Sequence, residues 1–266
     1  MRVGIVARPD LDKAVDLAKQ VLGLLSDAEV LLEEKLAERL GKKGVPLQAM
    51  EADAIISIGG DGTVLLVQQK APEAPVLGVR MGGTGFLADF SPSEVPEAIK
   101  RLLSGELPLR ERMRLAVEIG GNRMPDVLNE AVVRTASPGH VMTFEVLING
   151  ESAGATQGDG VIIATPTGST AYSLAAGGPV LDPELEAFVI TPICTSKPKL
   201  MPMVVPASSV VEVKLVTPTT EALLVLDGQL TIKVQADEKL KFYRSESPGK
   251  FFGRSGKFYR KVVEKL

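Results

Sequence analysis

The chain has 266 residues, of which 45% are hydrophobic and 24% charged, and its formal net charge is −3. This slightly acidic balance argues against a nucleic-acid binder, because such proteins usually present a basic face. No apolar stretch approaches the roughly 18 residues that span a bilayer, so no association with a membrane is expected. The single cysteine, Cys194, excludes an internal disulfide and a cysteine-cluster metal site, and it favours the reducing cytoplasm.

The first hundred residues alternate between strand-like and helix-like segments. Apolar runs predict strands at residues 3–7, 29–32, 54–58 and 76–79. Helical spacing predicts helices at residues 11–25, 33–40 and 94–103, with Ser93 as the N-cap of the last one. A further helix is predicted to begin at Thr63. Such alternation predicts a mostly parallel sheet covered by helices.

After about residue 110 the segments become short and β-branched, and most are separated by Gly, Pro or Asn. Strands are predicted at residues 114–119, 127–134, 143–148, 161–164, 210–216, 222–226 and 230–235. The predicted fold is an α/β N-terminal domain with a mostly parallel sheet, plus a β-rich C-terminal domain. We expect the first domain at residues 1–108, the second at 109–240, and a tail at 241–266 that packs back on the first domain.

The strongest local signal is the run Gly59, Gly60, Asp61, Gly62 and Thr63, between an apolar strand and a predicted helix. The glycines let the backbone turn sharply and approach a ligand, with N–H groups that suit an anion at the start of a helix. A carboxylate within such a turn would repel phosphate. Its presence indicates that Asp61 accepts a proton or hydrogen bond from a hydroxyl, or holds a metal ion between phosphates. The alternative is a tight turn in which Asp61 caps the helix.

Two further segments are rich in glycine or hydroxyl groups. Residues 81–88 match the dinucleotide fingerprint formally, but Pro92 follows too soon for the helix that this fingerprint must open. A second glycine loop beside the first remains expected, because loops at the carboxyl ends of parallel strands converge. Residues 157–179 run from a buried strand into Thr and Ser hydroxyls, which suit ribose and phosphate oxygens. The alternative for this segment is a hydroxyl-rich turn between strands.

Other candidate residues carry weaker signals. Asn129 and Glu130 have the groups to bind an adenine edge and ribose hydroxyls, although a surface role is the commoner explanation for such a pair. We interpret His140 as an ordinary loop residue and Cys194 as a small packing residue. Lys197 and Lys199 suit phosphate contacts but are better explained as a solvated loop.

Taken in order, these segments and the run Asp227-Gly228-Gln229 resemble the NAD kinase family over most of the chain. The glycine loop at 59–63 is shared with lipid and sphingoid kinases, whereas residues 165–173 (Thr-Pro-Thr-Gly-Ser-Thr-Ala-Tyr-Ser) are far more specific. The resemblance implies that NAD binds between the two domains and that Asp61 accepts the proton of the adenosine-ribose 2′-hydroxyl. It implies donor-phosphate contacts from the loop residues Gly59, Gly60, Gly62 and Thr63. The implied NAD contacts are Asp61, Gly62, Asn129, Glu130, Gln157, Asp159, Thr170, Ala171, Tyr172, Ser173, Leu174, Ala175 and Gln229.

The resemblance also implies how the reaction is supported. ATP or polyphosphate would be the donor, with Mg²⁺ or another divalent cation, and no residue is assigned as a metal ligand. The partners would be NAD and ATP in a cytoplasmic homodimer or homotetramer, and Gln229 would act within its own chain or across a subunit interface. Two alternatives are a lipid or diacylglycerol-type kinase that shares the glycine loop, and a non-catalytic NAD-binding sensor. The hydroxyl-rich segment argues against the first, because acyl chains need an apolar slot.

Overall fold

The computed structural model describes residues 1–83, 85–137, 139–196, 200–216, 221–253 and 258–265. The chain divides into two compact units. The first comprises Met1–Glu111 together with Gly249–Leu266, and the second is the continuous segment Arg112–Pro248. No helix of the described residues is long and apolar enough to cross a membrane.

The helices and strands follow in chain order. From the N-terminus they are β1 (Arg2–Ala7), α1 (Asp12–Leu24), β2 (Glu29–Leu32), α2 (Glu34–Leu40), β3 (Ala54–Gly59), α3 (Asp61–Lys70), β4 (Val76–Arg80), α4 (Val95–Leu103) and β5 (Leu109–Arg112). The second unit contains β6 (Leu115–Ile119), β7 (Asn122–Arg123), β8 (Glu130–Thr135), β9 (Met142–Ile148), β10 (Glu151–Gly158), β11 (Gly160–Ala164), α5 (Tyr172–Ala175), β12 (Ala187–Ile193), β13 (Met203–Pro206), β14 (Val211–Leu215), β15 (Ala222–Leu226), β16 (Leu230–Val234) and β17 (Leu240–Arg244). The chain then returns to the first unit with β18 (Gly249–Phe252) and α6 (Phe258–Lys265).

The first unit is built on a mostly parallel sheet, as predicted. Its strand order is β2-β1-β3-β4-β18-β5, and the pairs β1–β2, β1–β3, β3–β4 and β4–β18 are all parallel. Every residue of β3 is buried, which explains why this strand is a continuous apolar run rather than an alternating one. Because the strands are parallel, the loops after β3 and β4 emerge at the same edge of the sheet.

The observed ends of the helices agree only in part with the boundaries and caps predicted from the sequence. Gly41 caps the C-terminal end of α2, and its left-handed φ of 62° suits glycine. The α3 helix begins at Asp61 rather than at Thr63. A short 3₁₀ turn precedes α4, and the cap there is Ser91, not Ser93. Both the N–H and the hydroxyl of Ser91 donate to Glu94 at 2.8 Å, which fixes the start of the turn one residue before Pro92.

The second unit consists of two antiparallel sheets that share one core. Their strand orders are β10-β9-β14-β17-β6-β7 and β13-β12-β11-β8-β15-β16. One apolar cluster combines Phe144 and Phe242 of the first sheet with Ile163 and Leu224 of the second, so the sheets pack face to face. A separate cluster on the other face of the second sheet includes Ile162 and Val189. The second sheet is thus buried on both faces.

The structure divides the chain differently from the sequence interpretation at the C-terminal end. Residues 241–248 were assigned to the tail, but β17 pairs antiparallel with both β6 and β14 and lies in the second unit. Only the segment from Gly249 onward belongs to the first unit, where β18 is an internal strand beside β4.

Candidate functional site

The first glycine loop joins β3 to α3 and combines close packing with an open side. A Cβ at Gly59 would lie 2.2 Å from the Thr63 hydroxyl oxygen and 3.2 Å from Arg8 Cγ, so only glycine fits there. Thr63 itself is buried. A Cβ at Gly60 or Gly62 would meet nothing within 4 Å. The two open glycines therefore leave room for a ligand to approach the start of α3.

Asp61 is fixed by the second glycine loop. Its Oδ2 accepts the N–H of Phe86 at 2.8 Å, and its Oδ1 accepts the N–H groups of Leu87 and Ala88, both at 3.0 Å. Gly85 approaches so closely that a Cβ would lie 2.6 Å from Oδ1. The carboxylate thus does not cap its own helix, and the expected convergence of the two glycine loops is confirmed. Backbone donors of this kind hold a carboxylate in one orientation while a lone pair of Oδ2 remains for a further donor.

In the second unit, Asn129 and Glu130 are anchored by a carboxylate from a distant turn. Asp227 accepts the N–H groups of Leu128 at 2.7 Å, Asn129 at 2.8 Å and Glu130 at 3.0 Å. The Asp227 N–H donates back to the Glu130 carbonyl at 3.0 Å. Asn129 and Glu130 are only 9% and 8% exposed, so the surface role that we considered the commoner explanation for this pair is wrong.

Burial sets the charge of this carboxylate pair. It raises the pKa of Glu130 to about 8, and the Asp227 charge adds to the shift. Burial also raises the pKa of Asp227, to about 6, while the three backbone donors and Arg114 act in the opposite direction. Burial thus favours the protonated form of Glu130, whereas the backbone donors to Asp227 partly offset the effect of burial and favour its ionised form. Glu130 Oε2 is buried and has no hydrogen-bond partner among the described residues, which is unusual for a buried polar atom.

The hydroxyl-rich segment packs directly against Asn129. Thr165 donates its N–H to the Asn129 carbonyl at 2.8 Å and its hydroxyl to the Leu128 carbonyl at 2.5 Å. A Cβ at Gly168 would lie 2.1 Å from the Asn129 carbonyl oxygen, which explains the glycine. The structure thus brings the start of this segment together with Asn129 and Glu130.

The next residues form a 3₁₀ turn (Gly168–Thr170) and then the short helix α5. Ser173 is fully buried, and its hydroxyl shares a 2.8 Å hydrogen bond with Thr191. Tyr172 is 40% exposed, whereas Thr170 and Leu174 are partly buried. The segment therefore offers a ligand Tyr172 and its backbone more readily than the Ser173 hydroxyl.

Gln157 and Asp159 lie at the other end of strand β11. This strand pairs Ala164 with Glu130 at one end and Gly160 with Arg134 at the other. Ala164 lies five residues after Asp159, which is about 16 Å along an extended strand. The Gln157 amide donates to the Thr143 hydroxyl at 3.2 Å, and Asp159 is held through its backbone by Thr135 and Ile193. The structure does not bring these two residues next to Glu130.

The sequence singled out the run Asp227-Gly228-Gln229 but did not indicate that Asp227 supports Asn129 and Glu130. Asp227 and Gly228 have φ angles of 49° and 66°, so they form a tight turn between β15 and β16 that places the exposed Gln229 after Asp227. The Asp-Gly pair was a usable signal for this turn. The buried Arg114 near Asp227 had no signal in the sequence pattern.

The remaining sequence candidates have ordinary positions or lie outside the described residues. His140 is an exposed loop residue, as interpreted. Cys194 is also exposed, so its interpretation as a packing residue was wrong; it directly follows β12 and has a left-handed φ of 48°. Thr84, Lys197 and Lys199 are outside the described residues. In the part of the chain that is described, no group of three His, Cys, Asp or Glu side chains is placed to hold a metal ion.

Comparisons with known proteins point to one family. The model described as the ATP-NAD kinase N-terminal domain matches residues 3–107, and that of the ATP-NAD kinase C-terminal domain matches residues 128–253. The NAD kinase of Methanothermobacter thermautotrophicus is 40% identical over 275 residues, which cover 100% of this chain and 96% of that protein.

Two solved structures have the same fold. An NAD kinase from Archaeoglobus fulgidus in complex with ATP has a TM-score of 0.81 and 28% sequence identity, with 100% of both chains covered. Yeast NADH kinase complexed with NADH has a TM-score of 0.91 at 24% identity, covering 100% of this chain and 87% of that one. The second likeness concerns the fold alone.

Proposed function

The chain belongs to the NAD kinase family, and from this premise we propose that it phosphorylates the adenosine-ribose 2′-hydroxyl of NAD, with ATP as donor, to give NADP. The observation that carries this function is that the two domain models of the family match both halves of the chain in the expected order. The structure of the Archaeoglobus fulgidus relative with ATP supports ATP as the donor. These matches favour neither a lipid kinase nor a non-catalytic sensor.

Asp61 is the group that we assign to proton transfer. Phosphoryl transfer needs positioning and charge neutralisation more than covalent help from the protein. The Asp61 carboxylate, fixed by three backbone donors, accepts the proton of the 2′-hydroxyl. The freed oxygen forms a bond to the terminal phosphorus of ATP, and the bond from that phosphorus to ADP breaks. Gly60 and Gly62 present the open face of the loop to the donor phosphates, beside Gly59 and Thr63.

NAD is held by residues of several segments. The contacts with Asp227 fix Asn129 and Glu130, and the unpartnered Glu130 Oε2 supports our assignment of Glu130 to a ribose hydroxyl. We assign the other contacts on the family resemblance, and they are Asp61, Gly62, Gln157, Asp159, Thr170, Ala171, Tyr172, Ser173, Leu174, Ala175 and Gln229.

The proposal also includes the metal ion, the cellular compartment and the oligomeric state. Mg²⁺ in nucleotide sites is usually held by substrate phosphates and one or two carboxylates. This agrees with a loop that carries one carboxylate, Asp61, beside open glycines. When bound with ATP, Mg²⁺ would neutralise phosphate charge. Polyphosphate is a second donor to test, and we propose a cytoplasmic homodimer or homotetramer.

The test follows NADP formation with an NADP-specific dehydrogenase in a mixture of purified protein, NAD, ATP and Mg²⁺. Asp61→Asn keeps the size of the side chain but removes the proton acceptor. We expect it to lower kcat by at least about 10²-fold, as for loss of a general base.

Asp27→Asn serves as the matched control, because Asp27 is an exposed residue of the same unit. It is expected to retain the wild-type rate. A near-normal rate in Asp61→Asn would overturn the role of Asp61. If the wild-type protein binds NAD but forms no NADP with either ATP or polyphosphate, the kinase assignment itself fails.

A further inference from the structure

Helix α6, near the C-terminal end, contacts the same loop that holds Asp61. Lys261 forms an ion pair with the Asp89 carboxylate, and its ammonium group donates to the Phe86 carbonyl at 3.3 Å. The Lys261 side chain is only 14% exposed and that of Asp89 30%, so this is a sheltered pair. The Phe258 ring lies against the Phe86 ring, with centroids 6.1 Å apart.

Phe86 connects this helix to the carboxylate. Its N–H donates to Asp61 Oδ2 at 2.8 Å, while its carbonyl accepts from Lys261. The next two residues, Leu87 and Ala88, provide the other two donors to Asp61. A movement of the Phe86 backbone therefore moves a donor of the carboxylate directly.

Asp89 is fixed from other directions as well. The Arg80 guanidinium donates to its carbonyl at 2.9 Å. On the side-chain face, a Cβ at Gly253 would lie 2.6 Å from Asp89 Oδ2, so the chain that leads from β18 toward α6 passes close to this carboxylate. The end of the loop is thus held by β4 on one side and by the C-terminal segment on the other.

We propose that Lys261 is a positioning residue for phosphoryl transfer: through Phe86 and Asp89 it holds the backbone donors that orient the Asp61 carboxylate. This inference rests on the proposed role of Asp61. Lys261 contacts the loop, not the carboxylate itself. Its loss therefore impairs the alignment of the proton acceptor, which lowers kcat, while the binding of NAD and ATP is retained.

The test compares Lys261→Met, which keeps the length of the aliphatic chain, with Lys261→Arg, which keeps the charge. The matched control is Arg260→Met on the same helix, because Arg260 is exposed and its ion pair is with Glu264, away from the loop. We expect Lys261→Met to lower kcat about tenfold, with both KM values within about twofold of wild type, because small misplacement of a reacting group is costly. Lys261→Arg and Arg260→Met are expected to stay within about twofold.

A double-mutant cycle separates positioning from general stability. If Lys261 acts through Asp61, then Lys261→Met lowers the residual rate of Asp61→Asn by less than about twofold. Hydrogen exchange gives a readout that needs no activity: the amides of Phe86, Leu87 and Ala88 should exchange faster in Lys261→Met than in Arg260→Met.

The outcomes are distinguishable. A wild-type protein that forms no NADP refutes the proposed function, and the exchange experiment still decides whether Lys261 holds the loop. Unchanged exchange and unchanged kcat in Lys261→Met overturn the inference. It is also overturned if Lys261→Met lowers the rate by the same factor in the wild type and in Asp61→Asn. If Lys261→Met does not fold, Asp89→Asn breaks the same ion pair from the loop side and must show the same pattern.

Discussion

Two aspartates, Asp61 in the first unit and Asp227 in the second, make the same kind of backbone contacts. Each follows a strand in a turn that contains glycine, and each accepts three successive backbone N–H groups of a distant segment. They differ in burial: Asp227 is 5% exposed, whereas Asp61 is only partly buried. Asp227 is thus a purely internal support, and Asp61 remains accessible to a substrate.

Only part of this arrangement was visible in the sequence. The glycine turn around Asp61 and the Asp227-Gly228 pair are local signals. Their partners are 25–27 and 97–99 residues away along the chain, and no periodicity or turn rule connects residues at such distances. The sequence could therefore indicate which side chains matter, but not what holds them.

The buried Glu130 predicts a specific pH dependence of stability. Folding raises its pKa from 4.5 to about 8, so the folded state keeps a proton that the unfolded chain releases. The free energy of unfolding therefore falls as pH rises from about 4.5 to about 8, and this loss is complete above the folded-state pKa. Between pH 6.5 and 8.5, where most of Asp227 is already ionised, the loss from Glu130 would be about 2 kcal/mol.

Chemical denaturation of the wild type and of Glu130→Gln at these two pH values checks this prediction. The glutamine cannot ionise, so the variant should lose much less stability than the wild type. Glu151→Gln removes an exposed carboxyl group of the same unit and should behave as the wild type. Parallel losses in all three proteins would show that Glu130 is already ionised in the folded state at neutral pH.

At the level of elements, strands with a clean apolar pattern were predicted well and polar or proline-containing strands were not. The predicted strand at 222–226 has the observed bounds of β15, and the one at 230–235 ends one residue beyond β16. Strand β10 was missed because it is polar and bulged, with Gly154 at a φ of 137°. Strand β12 was missed because it contains Pro192, which normally argues against a strand with neighbours on both sides.

The contact between Gly168 and Asn129 gives a prediction at this scale. Gly168→Ala places a methyl group 2.1 Å from the Asn129 carbonyl oxygen, so the loop and the strand end must separate. We expect a loss of about 1–3 kcal/mol of unfolding free energy, typical of overpacking, and a raised KM for NAD with a smaller effect on the KM for ATP.

Denaturation and steady-state kinetics measure both effects. Gly23→Ala is the matched control, because its new methyl group meets nothing within 4 Å and lies within α1. Alanine is the better helix former, so this variant is expected to gain up to about 1 kcal/mol. If Gly168→Ala were as stable as the wild type with an unchanged KM for NAD, the close packing of this loop would have no bearing on the site.

At the scale of the whole molecule, the sequence predicted the fold classes of both halves and a C-terminal tail on the first domain, but not the strand that this tail adds to the parallel sheet. Alternating strands and helices predicted the parallel sheet, and short β-branched segments predicted the β-rich unit. The internal position of β18 was not predictable, because its partner β4 is far away in sequence and Gly249–Phe252 is too short to show periodicity. Lys261 is likewise far in sequence from Phe86 and Asp89, so no local pattern indicated a role for it.

The chain path predicts that the two units differ in their ability to fold alone. Residues 112–248 are continuous and contain both sheets of the second unit with their shared core, so this segment should unfold cooperatively when expressed alone. Residues 1–111 lack β18, which separates β4 from β5, so the sheet is left with an unpaired edge at β4. This fragment should therefore aggregate or unfold without cooperativity.

Joining residues 1–111 to 249–266 through a short glycine-serine linker restores the missing strand. We expect this protein to regain a cooperative thermal transition, measured by far-ultraviolet circular dichroism. An equally stable transition for residues 1–111 alone would mean that β18 adds little to this sheet, and the C-terminal segment would then be needed only for its contacts with the Asp61-binding loop.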